Sequence, residues 1–228
     1  EKTSLKAVCD LDASKLKKVN NTYPLVEITT DANDLILNKN IDAIAIATPV
    51  ESHFELANFA LQSGKHVLLS KPIASNSNQA NELIKESNKR NLVLMIDHTF
   101  IFSGPIRTIK SLLNNNELGN LLYYDSIRVN LGIFQNDVNV LWDLAVHDLS
   151  ILSYLLKTKP IALSAVGHNH IRSEPENIAF LTLFFEDNFI ANINVNWLSP
   201  VKIRRTLIGG SKKMVVYDDL ETSEKIKI

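Results

Sequence analysis

Within WDLAVHD, residues 142–148, an aspartate and a histidine stand four positions apart, Asp143 and His147. On a helix that spacing brings both side chains to one face. The carboxylate can then hold one imidazole nitrogen, fix the tautomer and raise the basicity of the ring. A histidine held in that way is suited to take a proton from an alcohol. The same spacing also describes an ordinary helical pair on a solvated face, worth about 0.2–0.5 kcal/mol.

Ser70-Lys71-Pro72 closes the apolar run His66 to Leu69. In open α/β sheets the carboxyl ends of the strands are where ligands bind. A lysine there can donate to a substrate hydroxyl and stabilise a developing alkoxide; the alternative is a surface lysine in a proline-stiffened turn. Thr48-Pro49 ends a neighbouring strand at the same edge, and His53 falls in the first turn of the next helix, where it reads as a capping or packing residue. Asp10 ends the short run Leu5 to Cys9. An acid in that place accepts ribose hydroxyls in dinucleotide-binding folds, and it also serves as a turn former or helix cap. His168-Asn169-His170 puts two histidines on one strand face, but these, His66 and His98 lack zinc-ligand spacing, and no metal is expected.

These residues need elements to carry them. The first half alternates short apolar strands with amphipathic helices: a helix over 13–20, the uninterrupted strand DAIAIATP at 42–49, a helix over 52–62 stopped by Gly64, a strand over 66–69, a helix over 75–89 and a strand over 92–96. That alternation means βαβ units and a parallel sheet, whose strands are covered on both faces. Beyond Pro105 and a helix over 106–113, strands alternate apolar and polar residues. Phe189, Ala191, Ile193, Val195 and Trp197 share one face, while Asn192, Asn194 and Asn196 take the other. Asp187-Asn188 reads as the hairpin turn joining this strand to 178–185. A helix over 140–156 carries the Asp–His pair, with an apolar stripe of Leu141, Leu144 or Ala145, Leu149, Leu152 and Leu156 and a polar stripe of Asp143, His147, Ser150 and Tyr154. The fold class is therefore α/β: a Rossmann-type parallel-sheet domain over 1–98, followed by an α+β domain over 99–228 with a mostly antiparallel open sheet.

The chain has 228 residues, 45% hydrophobic, with 24 basic and 25 acidic side chains. That balance argues against a nucleic-acid surface. No apolar stretch reaches the ~18 residues of a membrane span, and there is no signal-peptide pattern, so a cytoplasmic location is expected. One cysteine, Cys9, excludes an intramolecular disulfide framework. Only nine residues precede Asp10, too few for a first strand and the glycine-rich turn that would cradle a pyrophosphate. Either the fold is a different one or the chain is an N-terminal truncation of a longer protein; the expectation is a truncated Rossmann domain, and LETSEKIKI at the other end reads as an incomplete second domain.

In order, VCDLD (8–12), IDAIAIATP (41–49) with His53 beyond it, GKHVLLSKP (64–72), DHTFIFSGPI (97–106), ELG (117–119) and WDLAVHDLSIL (142–152) resemble the Gfo/Idh/MocA family of nicotinamide-dependent oxidoreductases. The resemblance covers nearly the whole chain. Lys71 matches the lysine of that family's Glu-Lys-Pro, with Ser70 standing in place of the glutamate. Asp143 and His147 match its Asp-x-x-x-His pair. The resemblance implies hydride transfer between a nicotinamide and a sugar or polyol hydroxyl: His147 removes the hydroxyl proton, Lys71 polarises the oxygen and Asp143 orients His147. It implies cofactor contacts at Asp10, Thr48, Pro49, His53, Ser70, Lys71 and Pro72. NAD is favoured over NADP because Leu11 follows Asp10 and no arginine stands there to meet a 2′-phosphate. Residues 123–148 most resemble members acting on nucleotide-linked sugars in polysaccharide biosynthesis, which implies that Tyr124, Arg128 and Asn130 face the sugar or its phosphates. A homo-oligomer through the open sheet of the second domain is also implied. Fold alone does not give function, and Ser70 keeps open a non-catalytic sugar- or cofactor-binding protein.

Overall fold

A computed structural model describes residues 3–132, 134–135, 138–171 and 175–228. Ile133, Asn136 and Asp137, inside the segment resembling nucleotide-sugar enzymes, lie outside the described residues. The chain divides into two compact units, 1–97 and 98–228.

In the first unit β1 (Ala7–Cys9) leads to α1 (Ala13–Thr22), β2 (Glu27–Thr29) and α2 (Ala32–Ile36). Then come β3 (Ala43–Ile46), α3 (His53–Gln62), β4 (His66–Ser70), α4 (Ser77–Arg90) and β5 (Leu94–Asp97). Every strand pair is parallel, as strand–helix alternation requires, but the strands form two separate sheets, β1–β2 and β3–β4–β5. The helices begin and end where the side chains dictate. The Asp12 carboxylate caps α1 by accepting Ser14 N–H at 2.8 Å, and Asn76 caps α4 through Gln79 N–H at 3.0 Å. Gly64, at φ 81°, stops α3, a left-handed conformation that costs glycine little.

Ile46, Val67 and Leu69 turn one face of β3–β4–β5 into a core with Ala57, Leu61 and Leu83 of α3 and α4. The opposite face is open: Leu68 and Met95 are each 42% exposed. Among the described residues, α2 (through Ile36), α3 and α4 share the core with Ile46, Val67 and Leu69, and the cover expected on the second face of the run at 42–49 is not seen.

The second unit opens with α5 (Gly104–Asn114), followed by β6 (Leu121–Leu131) and α6 (Val146–Leu155). β7 (Ala162–His168), β8 (Ile178–Phe184), β9 (Ile190–Asn196), β10 (Leu198–Gly210), β11 (Met214–Asp218) and β12 (Ile226–Lys227) complete it. The seven strands form one sheet in the order β12-β11-β10-β6-β9-β8-β7. Only the β6–β9 pair is parallel. Asp187 and Asn188, at φ 60° and 57°, turn the chain from β8 into β9.

Period two decides which face is buried. Ala179, Leu181 and Leu183 of β8 and Ala191, Ile193 and Val195 of β9 join Ile106 and Ile109 of α5 and Ile151, Leu152 and Leu155 of α6 in the core. On the other face Phe180 is 50% exposed and Phe184 40%.

The helix expected over 140–156 is regular only from Val146. Before it, Leu141–Ala145 forms a π-helical turn. A wider turn shifts the helical phase, so the fully buried line is Ala145, Asp148, Ile151, Leu152 and Leu155. Leu141, Leu149 and Leu156 of the expected stripe pack at the margin of the core.

Candidate active site

The first unit gathers its expected residues at the carboxyl ends of its parallel strands. β3 ends just before Thr48-Pro49, and β4 ends in Ser70, with Lys71-Pro72 joined by a cis bond. His53 fastens these two loops together. Its Nδ1 is 2.8 Å from the Pro72 carbonyl oxygen, and its Nε2 is 2.8 Å from that of Thr48. Ser70 Oγ lies 3.3 Å from the same Nε2. Carbonyl oxygens only accept, so each of these contacts needs a ring N–H; a neutral ring can donate to one of them and a protonated ring to both. His53 is 1% exposed. His53, expected from the resemblance at the cofactor, turns its two ring nitrogens to the main chain and shapes the loops that present Thr48, Pro49 and Lys71.

Asp10 follows β1. Its Oδ1 accepts Asp12 N–H at 2.8 Å, which forms the turn into α1, while Oδ2 meets Lys15 Nζ at 3.4 Å. The Asp10 side chain is 36% exposed and that of Lys15 64%. Asp10 is thus both a turn former and an open carboxylate at a strand end, which fits a ribose diol. The fit to a dinucleotide is partial, because Gly64, the one glycine in residues 1–97, sits at the end of α3. A glycine-rich pyrophosphate cradle is absent from the described residues of this unit.

In the second unit Asp143 lies in the π-helical turn, and its Oδ2 accepts the indole N–H of Trp197 at 3.1 Å. π-helical turns recur at functional sites. Asp143, Leu144, Trp197, Asn130, Leu131 and Gly132 line an open cleft of about 480 Å³. Asn130 and Asp143, both expected to serve the site, are brought together there. His147 stands near the start of α6, half-buried, with its ring edge-on to Phe100 at 5.0 Å between centroids.

Tyr124 and Arg128, expected from the resemblance to face a sugar, are buried in this structure. On β6 they share a side with Ser126, and that side is the core: Tyr124 is 1% exposed and Arg128 4%. Burial pushes the Tyr124 phenol up, reinforced by the Asp148 charge. Arg128 is tied to Asp148, with Nε to Oδ2 at 2.7 Å. Burial works against its charge, but Asp148 outweighs this and raises its pKa. Spacing alone missed Trp197 and Asp148. Period two assigns Trp197 only to the apolar face of its strand, and the motif gives Asp148 no role beyond its place in it.

His168 and His170 stack edge to face at 4.9 Å, and His170 Nδ1 lies 3.1 Å from Asn177 Oδ1. Among the described residues no group of three or more His, Cys, Asp or Glu side chains could hold a metal ion, and no helix is long and apolar enough to cross a membrane.

Comparison with known proteins agrees with this architecture. Residues 1–98 match the model of an oxidoreductase family with an NAD-binding Rossmann fold. Residues 106–216 match the GFO/IDH/MocA C-terminal domain. An uncharacterized oxidoreductase of Bacillus subtilis, YrbE, is 25% identical over 200 residues, covering 83% of this chain and 59% of that protein. UDP-N-acetylglucosamine 3-dehydrogenase of Acidithiobacillus ferrooxidans is 32% identical over 171 residues, 74% of this chain and 52% of that protein. The chain therefore spans less than two thirds of the length of these relatives. The crystal structure of the WlbA dehydrogenase from Bordetella pertussis, in complex with NADH and UDP-GlcNAcA, superposes with a TM-score of 0.85 at 18% identity, over 94% of this chain and 66% of that one. With both of its units matched in the order their motifs occur, the chain belongs to the Gfo/Idh/MocA family of oxidoreductases, and its first unit carries that family's NAD-binding fold.

Proposed function

We propose that the protein carrying this chain is an NAD-dependent dehydrogenase acting on a CH–OH group of a sugar, with a nucleotide-linked sugar as the substrate class. The observation that carries the reading is the Asp143 carboxylate, held by the Trp197 indole in a π-helical turn one helical turn before His147 and lining an open cleft with Asn130. A carboxylate one helical turn before an imidazole has the spacing with which a general base is oriented. The relative named as a UDP-N-acetylglucosamine 3-dehydrogenase supports the substrate class.

In this reading His147 accepts the hydroxyl proton, Asp143 orients it, and Lys71 donates to the oxygen as negative charge develops there. NAD, when bound, supplies the hydride acceptor. Asp10 meets the adenosine ribose, and the loops fastened by His53 hold Thr48, Pro49 and Lys71 at the strand ends. Asn130 takes a sugar hydroxyl in the cleft. The open face of β7–β9, with Phe180 and Phe184 half exposed, is the surface proposed for pairing with a second copy.

The test is NAD reduction, followed by the absorbance of the NADH formed, over a panel that includes UDP-N-acetylglucosamine. Turnover that falls roughly 10²-fold or more in His147→Ala supports the base. Near-normal turnover in that variant removes it. Ser70, in the place of the family's glutamate, supports a second reading as a binding protein without turnover; NAD or sugar binding with no NADH formed across the whole panel would establish that reading instead.

A further inference from the structure

Asp148 follows His147 directly on α6 and is 1% exposed. Its Oδ1 accepts Ser126 Oγ–H at 2.6 Å, and its Oδ2 accepts Arg128 Nε–H at 2.7 Å, with Arg128 Nη2 3.3 Å from Oδ1. Two charges have been carried into the core of the second unit to meet each other. A buried ion pair is a poor source of stability, since apolar side chains of similar volume serve as well or better. Its geometry gives it another use.

The Arg128 guanidinium lies over the Phe100 ring, 4.5 Å from the centroid. The same ring meets the His147 imidazole edge-on at 5.0 Å and 73°. Two routes therefore run from the ion pair to His147. One passes along the backbone of α6, whose rotation is fixed by Asp148 bonding to Ser126 and Arg128 on β6. The other passes through Phe100, whose ring meets both the guanidinium and the imidazole. Arg204 of β10 adds a second cation 5.9 Å from the Phe100 centroid.

We infer that Arg128, Asp148 and Phe100 are positioning residues that hold the His147 imidazole in one ring orientation. The consequence for catalysis rests on His147 being the base proposed above, but the holding itself does not. Arg128 is thereby moved from the sugar to the support of the histidine.

The experiment uses the 228-residue chain with labelled histidine, reading the ring signals by NMR, with His147→Asn identifying the His147 signals among the six histidines. The double variant Arg128→Met/Asp148→Leu removes both charges together and leaves no uncompensated ion in the core. Phe100→Leu, at a half-buried site, cuts the second route alone. In each folded variant the His147 ring signals are expected to shift or broaden while those of His53, His66, His168 and His170 stay in place. With UDP-N-acetylglucosamine and NAD, kcat of the protein carrying this chain is expected to fall about tenfold at unchanged KM, the sign of a misoriented group and not of lost binding. His147 signals at their original positions in a folded variant overturn the inference, and Phe100→Leu decides it if the double variant fails to fold. Signals that move while kcat holds would keep the clamp and overturn the proposed base instead.

Discussion

Trp197 donates its indole N–H to Asp143 at 3.1 Å, across 54 residues of sequence. Trp197 closes the alternating face of β9, is 1% exposed and meets Phe134 edge to face at 5.7 Å. The contact thus ties the wall of the sheet to the π-helical turn. Trp197→Phe keeps an aromatic ring and removes the donor. The expected loss is about 1.5–3 kcal/mol of stability, from a part-buried hydrogen bond to a charged group. If the indole also orients Asp143, kcat falls several-fold at unchanged KM. Urea unfolding and steady-state kinetics read the two effects separately, and a stability loss with unaltered kcat would confine Trp197 to packing.

His53 makes a different kind of claim, about the first unit alone. Replacing it by alanine leaves the Thr48 and Pro72 carbonyl oxygens without their ring partner and opens a cavity where the side chain was 1% exposed. A cost of roughly 2–4 kcal/mol is expected from the lost ring contacts and the cavity. Hydrogen exchange should rise at residues 48–52 and 70–74 ahead of β4. Unchanged protection of both loops in His53→Ala would dismiss the fastener.

Lys71 tests the chemistry from the other side. Lys71→Met keeps much of the stem and removes the ammonium group. If the ammonium stabilises the developing alkoxide, kcat falls about 10²-fold with little change in the Kd for NAD. A variant that binds NAD weakly and turns over normally at saturation would make Lys71 a cofactor contact only.

Much of this was legible because period and punctuation are local. Strand–helix alternation, the Gly64 stop and the Asp187-Asn188 turn each follow from neighbouring residues. What stayed hidden depends on distance or phase. A 3.6-residue period drawn from Leu141 predicts Leu149 and Leu156 inward; the π-helical turn shifts that phase and puts Asp148, Ile151 and Leu155 inside. Tyr124 and Arg128 enter as sugar-facing residues through the resemblance of residues 123–148 to nucleotide-sugar enzymes, which does not say which side of β6 is covered. Their side of β6 is the covered one, and only a partner twenty residues on, Asp148, makes a buried guanidinium tolerable. The run at 42–49 carries no sign of which face lacks a helix.

The far edge of the second sheet carries a pH dependence whose sign can be worked out. Asp219 accepts the Tyr217 hydroxyl at 3.1 Å and pairs with Lys225 and Arg204, each at 3.4 Å. Burial alone would raise its pKa, but the Tyr217 hydrogen bond and the two cations outweigh it, and the carboxyl is held below its ordinary 3.8. A group lowered in the folded state stabilises fully above its unfolded value, where both states are ionised. As pH falls below about 3.8 the unfolded chain takes up the proton first, so that stabilisation is lost as pH passes down through the lower folded value. Asp219→Asn should therefore lower the thermal midpoint near pH 7, and the gap between the two proteins should close as the pH is taken from 5 towards 3 (roughly the range over which a carboxylate titrates). Because the other carboxylates titrate in both proteins, the difference isolates this one. A gap that stays constant over that range would mean the lost hydrogen bond matters and the charge does not.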